Sequence, residues 1–179
     1  MKATGMVRRV DELGRIVIPK EIRKTLKIKE GEPLEIFVDK SELILKKYSK
    51  ISKNSELSDN IVLTLTDITG GFAIITDSDE VVSASSKLKH LIGEKISPTA
   101  SDIILNKKSF AISVGDNINL YPLTSGDEKG FLSQVILPIL SKDGQGIGLI
   151  ALYGVEKANQ VDSNIISLLR LASSLLSKE

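Results

Sequence analysis

Hydrophobic positions follow two unlike patterns along the chain, one before about residue 50 and one after it. The early part shows short alternating runs. Ile16 and Ile18 share one strand face while Arg15 and Val17 take the other, and Leu34, Ile36 and Val38 alternate with Glu35 and Phe37. The β-branched stretches 4–10 and 15–18 flank Asp11-Glu12-Leu13-Gly14, whose acids and glycine suit a tight turn, so a first hairpin is expected there. A second is expected from 34–38 and 43–45 around Asp39-Lys40-Ser41-Glu42, after the break at Gly31-Glu32-Pro33. Between them Pro19 suits the first position of a short helix, with Ile22 and Leu26 inward and Arg23, Lys24 and Lys27 outward. Lys46, Lys47, Ser49, Lys50 and the polar residues of 52–55 predict a linker over 51–55.

Beyond it the periods lengthen. Leu57, Ile61, Leu65 and Ile68 predict a helix over 55–68, with Ser55 as its cap and Gly70-Gly71 as its end. Strands are expected at 72–76 and 81–84 around Asp77-Ser78-Asp79-Glu80, short helices at 86–91 and 98–105, and further strands at 110–114 and 117–120. Two apolar strands, 131–140 and 147–153, are joined by Ser141-Lys142-Asp143-Gly144-Gln145-Gly146. A final helix over 160–177 would turn Val161, Ile165, Leu168, Leu169, Ala172, Leu175 and Leu176 inward. Ile166 and Leu171 lie outside that stripe. They suit either a wider intramolecular core or a helix from a second chain, which would make a four-helix bundle. The succession of elements is α+β.

Composition sharpens the division. The 179 residues allow one large domain or two modest ones, and 41% apolar content is ordinary for a globular protein. Residues 1–50 carry 13 Lys/Arg against 8 Asp/Glu; residues 51–179 carry 11 against 15. A basic head on an acidic body implies that the head meets a polyanion. Four of the five arginines, Arg8, Arg9, Arg15 and Arg23, lie in the first 23 residues. With no cysteine there is no disulfide, thiolate metal site or cysteine nucleophile. A head of 50 residues without such staples is expected to fold as a dimer. The sequence shows no membrane-length apolar run and no signal-type opening, and a cytoplasmic location is expected.

The run from Thr4-Gly5-Met6-Val7-Arg8-Arg9-Val10-Asp11 through Gly14-Arg15-Ile16-Val17-Ile18-Pro19-Lys20-Glu21-Ile22-Arg23, with Leu26, Gly31 and Leu34-Glu35-Ile36, closely resembles the AbrB family of transition-state regulators. That resemblance implies a swapped-hairpin barrel built by two chains over residues 1–50, binding double-stranded DNA with arginines on one face. The family's DNA-contacting positions fall on Arg8, Arg15, Arg23 and Lys24, with Arg9 completing the basic set. Lysine at 24 departs from the arginine common there; it neutralises phosphate but makes no bidentate fork. Glu21, Glu30 and Glu35 are read as solvated or paired with neighbouring lysines. Val135-Ile136-Leu137-Pro138-Ile139-Leu140 and Asp143-Gly144-Gln145-Gly146-Ile147-Gly148-Leu149-Ile150-Ala151-Leu152 are similar to the last hairpin of a GAF domain. This implies a sensor or oligomerisation domain over 56–179. Together the resemblances imply a transcription regulator of the kind that governs spore development, a homodimer through the head and a tetramer if the body also pairs.

Other motifs fail on their chemistry. The glycines of 143–148 lack the dinucleotide spacing and lead into a strand, so they are a hairpin turn. Asp77-Ser78-Asp79-Glu80 lacks the downstream glycine and glutamate of a calcium loop. His90, the sole histidine, has no companion for a zinc site and is expected exposed and non-catalytic. No metal or cofactor is expected, and no enzyme, since no acid–base or nucleophilic set assembles. A small-molecule effector remains open, its pocket placed between the sheet and residues 86–123 with no ligand residues assigned. The alternative function is an antitoxin that autoregulates its operon, although such proteins carry a short toxin-binding tail where this chain carries about 125 patterned residues.

Overall fold

The alternation at 34–47 becomes an antiparallel hairpin in the computed structural model, which describes residues 5–28, 30–113, 119–125, 130–154 and 163–178. Strands β1 (Leu34–Asp39) and β2 (Glu42–Lys47) pair so that Ile36 faces Leu45 and Val38 faces Leu43. That face is apolar, and no described part of the chain covers it: Ile36, Val38, Leu43 and Leu45 are all exposed. On the other face Phe37 lies beneath the Lys46 ammonium, 5.4 Å from the ring centroid.

Helix α1 (Lys20–Thr25) precedes the hairpin. Pro19 sits one place earlier than expected, as the residue before the helix, and its carbonyl accepts from the Arg23 N–H. Ile22 is half-buried, but Leu26, expected inward, is exposed. The first expected hairpin forms only its turn. Described residues 5–10 and 15–18 carry no ladder, because a two-stranded ribbon with nothing on its apolar side is marginal. No described residue before Ser49 is buried, and Val7, Val17 and Val38 are 89%, 75% and 74% exposed.

The chain divides into two compact units, Met1–Tyr48 and Ser49–Glu179. The second unit begins sooner than its polar composition suggests. Where a linker was expected over 51–55, Ser49 caps a short helix α2 (Lys50–Lys53), accepting from the Ser52 N–H, and Ile51 is 2% exposed in a core cluster. Ser52 Oγ donates to Asp77 Oδ2 (2.9 Å), while Oδ1 of the same carboxylate accepts the Asp79 and Glu80 N–H groups. Asp77-Ser78-Asp79-Glu80 is a turn, fastened to α2 by its first residue.

Five strands form one antiparallel sheet in the order β4-β3-β7-β6-β5: β3 (Phe72–Asp77), β4 (Val81–Ala84), β5 (Phe110–Ser113), β6 (Ser133–Leu140) and β7 (Gly146–Gly154). Both faces are covered, which explains the unbroken apolar runs. Val135, Leu137, Ile139, Ile150 and Leu152 point to a layer made by Ile51, helix α3 (Ser55–Thr69) and helix α5 (Ser163–Lys178). Ile136, Leu149, Ala151 and Tyr153 point to the opposite layer, made by a 3-10 helix (Ser86–Leu91), helix α4 (Pro98–Asn106), Leu123 and Phe131.

Several boundaries and orientations differ from expectation. Asn54, not Ser55, is the residue before α3, and it gives no side-chain cap because it also ends α2. Ile68 and Leu175 are exposed, since one stripe of each helix, Ile61, Val62 and Leu65 or Leu169, Ala172 and Leu176, suffices to cover the sheet. Val114, Asn117, Ile118, Gln160, Val161 and Asp162, assigned above to strands and the last helix, lie outside the described residues. Asn119 and Leu120, expected in the strand over 117–120, are described and belong to no strand.

Gly148 is required by close approach: a Cβ there would sit 2.1 Å from the Thr76 carbonyl oxygen and 2.6 Å from Ile51 Cδ1. Gly148→Ala is expected to lower unfolding stability by about 1–3 kcal/mol, because the backbone cannot yield without opening the sheet. Denaturant unfolding of the full chain, followed by far-ultraviolet dichroism, checks this.

Candidate nucleic-acid interface

The turn between 10 and 15 is organised by one carboxylate. Asp11 Oδ1 accepts the Leu13 N–H (3.0 Å) and the Arg15 N–H (2.8 Å), and Oδ2 accepts Arg15 Nε–H (2.8 Å). The backbone closes the same loop: Asp11 N–H donates to the Arg15 carbonyl and Gly14 N–H to the Asp11 carbonyl, each at 3.0 Å. Gly14 has φ +76°, a left-handed conformation that glycine adopts without cost. Aspartate suits the first position because its short side chain reaches amides two and four residues on. The Arg15 N–H, then the Arg15 guanidinium and the Leu13 N–H, hold the Asp11 carboxyl below its ordinary pKa.

Arg15 remains 69% exposed at its side chain despite this pair. Arg8 and Arg9, on the segment entering the turn, are exposed and make no ion pair among the described residues. Arg23 and Lys24 occupy the last turn of α1, where cations complement the helix dipole. Lys24 is exposed. Arg23 is half-buried, and its Nε is enclosed with no hydrogen-bond partner, so part of this guanidinium faces the protein and not solvent. The basic positions read from the sequence are thus placed unequally: four are open to solvent and one is partly withdrawn. The acid partner of Arg15 was missed; the spacing Asp11-x-x-Gly14-Arg15 was its signal.

Among its described residues the second unit offers no comparable set. On the side of the sheet where an effector was expected, between it and the described part of 86–123, Leu88, Leu91, Leu123 and Tyr153 pack together, none more than 1% exposed. Gln134 ties the covering segment down: its amide accepts from the Tyr121 N–H (2.9 Å) and donates to the Tyr121 carbonyl (3.0 Å). Ser97 caps α4 through the Ala100 N–H and donates to the Pro122 carbonyl. The glycines after Asp143 form the β6–β7 turn, closed by Ser141 N–H to the Gln145 carbonyl. His90 is exposed. Among the described residues no three metal-ligating side chains cluster, and no helix is long and apolar enough to cross a membrane.

Comparison with known proteins agrees with this division. Residues 55–179 match the family model described as "Stage V sporulation protein T C-terminal, transcription factor". The chain belongs to this family. It is 38% identical over 159 residues to stage V sporulation protein T of Bacillus subtilis (strain 168), covering 88% of this chain and 87% of that one. Residues 7–53 match the model described as "Antidote-toxin recognition MazE, bacterial antitoxin", and the head is 65% identical over 48 residues to the transition state regulatory protein AbrB of Bacillus subtilis (strain 168), covering 27% of this chain and 50% of that one. In fold, the chain is similar to the GAF domain of an Acinetobacter phosphoenolpyruvate-protein phosphotransferase, with TM-score 0.59 at 10% identity, over 74% of this chain and 82% of that domain. The second unit is GAF-like, and the protein is a transcription regulator with an AbrB-like head.

Because Asp11 is stabilised as the carboxylate, its titration midpoint is expected below that of a free aspartate, near 3.8. The folded pKa is depressed, so the turn is fully braced above that value and loosens as pH falls through the lower folded midpoint. Carboxyl carbon chemical shifts of Asp11 across pH 2–5 check this.

Proposed function

We propose that two heads associate through the apolar face of the β1–β2 hairpin and the unpaired strands around residue 11, and that the resulting dimer lays paired copies of Arg8, Arg9, Arg15, Arg23 and Lys24 on double-stranded DNA. The observation that carries this reading is the absence of any buried residue among those described before Ser49, beside a dozen exposed large apolar side chains. A second chain supplies what the first lacks: strand partners, an apolar cover and an acceptor for the enclosed Arg23 Nε, which costs about 1–3 kcal/mol if left unmet. A swapped-hairpin barrel satisfies all three. DNA binding places the protein's work in the cytoplasm.

The body acts as an assembly or sensing domain. Leu171, 60% exposed, and Leu175 on α5, with Leu63 and Ile68 on α3, form outward apolar positions in the layer away from the sheet. They favour pairing of bodies, and hence a tetramer, over a purely intramolecular role. An effector would act through unequal affinity for two arrangements of the body. The antitoxin alternative is not favoured, because 49–179 is a closed domain with its sheet covered on both faces and not a short tail awaiting a toxin.

With about six to eight phosphates reached per dimer, log affinity should fall against log salt with a slope of roughly −5 to −7. A slope near zero on duplex DNA would remove the reading. Arg15→Ala should weaken binding at least about tenfold while leaving oligomeric state and melting temperature near wild type, measured by fluorescence anisotropy and sedimentation. Replacing Leu171 and Leu175 together by Glu should halve the sedimenting mass of a tetramer; an unchanged mass would return the body's helices to an intramolecular role.

A further inference from the structure

Among the five cations assigned to the DNA-binding face, Arg15 alone forms an ion pair among the described residues. The pair divides a guanidinium into two working edges. Arginine has one donor at Nε and four at the two terminal nitrogens. Asp11 Oδ2 takes the Nε edge at 2.8 Å, while the side chain stays mostly exposed, so the terminal nitrogens remain available. Oδ1 of the same carboxylate is committed to the Leu13 and Arg15 amides and cannot swing away without opening the turn. The arginine is therefore held from behind by an anchor that is itself held. Its net charge is also offset, whereas Arg8, Arg9 and Lys24 keep theirs.

We propose that Asp11 is a positioning residue that makes Arg15 a reader of base edges: it fixes the direction of the terminal guanidinium nitrogens and removes the pair's general attraction for phosphate. This rests on the DNA-binding reading above and assigns parts within it. The uncompensated cations supply affinity for any duplex, and the compensated one supplies choice among duplexes. An oriented pair of N–H donors matches the two acceptors of guanine in the major groove, whereas a freely rotating charge favours the nearest phosphate.

Asp11→Asn separates this role from turn formation. The amide oxygen can still accept the Leu13 and Arg15 amides, but its NH2 group meets Arg15 Nε–H as donor against donor. The probes are a duplex enriched by the full-length wild-type protein from a random pool and a shuffled duplex of equal composition. Asp11→Asn should bind the shuffled duplex more tightly, with a salt slope steeper by about 1–2 per dimer, and its preference for the enriched duplex should fall about tenfold. In an Arg15→Ala background the same substitution should change preference less than about twofold. Preference unchanged in Asp11→Asn, or an equal loss without Arg15, overturns the inference.

Should the variant fail to fold, the wild-type chain still decides. The Arg15 Nε–H nitrogen resonance should exchange slowly and persist when the enriched duplex is added; its merging with solvent-exposed arginines in the complex overturns the proposal. If no duplex is enriched, or wild-type binding ignores salt, the DNA-binding reading itself falls. Normal wild-type binding with an unaltered Asp11→Asn preference removes only the role of Asp11.

Discussion

The first unit has more apolar surface than its own backbone can hide. Its helix α1 is six residues long and its described residues form one ladder of two strands, so many of its large apolar side chains stay exposed. Burial of a single such side chain contributes about 1.5–3 kcal/mol, and conformational entropy opposes folding at roughly 1–2 kcal/mol per residue. A unit with no buried residue among those described cannot meet that cost alone. On the dimeric reading, folding of the head and self-association are one event, and the basic surface exists only as a property of the pair. Such a coupling would double every cation without lengthening the chain, and would make the spacing between copies a feature of the shared core and not of a flexible tether.

The second unit solves the opposite problem. Its sheet is buried on both faces, and the alternation of Ile150 and Leu152 against Leu149, Ala151 and Tyr153 distributes one strand between two cores. Polar groups at the margins act as fasteners. Ser52 on α2 reaches Asp77, Ser83 on β4 reaches Asp59 on α3, and Ser173 on α5 reaches the Pro138 carbonyl on β6. Each joins a helix to the sheet by a hydrogen bond and not by an ion pair, in a domain that carries net negative charge. Helical cover and sheet are thus locked in register by short hydroxyls that demand close packing.

Most of this architecture was legible because periodicity reports burial where burial exists. The runs 135–140 and 147–153 were legible as strands, and Ile61 and Leu65 marked the stripe that the structure lays on the sheet. What escaped was local or shared between elements. Ile51 lies alone among lysines and serines, too short a signal for any period, yet it closes a core against Gly148. Ile68 and Leu175 satisfy the helical stripe yet stay exposed, because the other residues of each stripe already cover the sheet. The cations of the head were visible from composition, but their inequality was not: the withdrawal of the Arg23 Nε depends on a side-chain path that residue types do not encode, while the bracing of Arg15 by Asp11 had a signal in their spacing that went unread. The first hairpin was legible as a turn and illegible as a ladder, since the cover its strands need is not supplied by the described residues of the same head.

The packed layer beneath α4 has a thermodynamic corollary for control. Leu88, Leu91, Leu123 and Tyr153 are packed in this layer, none more than 1% exposed. A molecule that bound there would first have to displace them, and its apparent affinity would be its intrinsic affinity multiplied by the small fraction of open bodies. Opening the layer would also strain the segment at Tyr121 and Pro122 that Gln134 and Ser97 hold. On a sensing role for the body, tight closure would thereby raise the concentration at which any guest is felt.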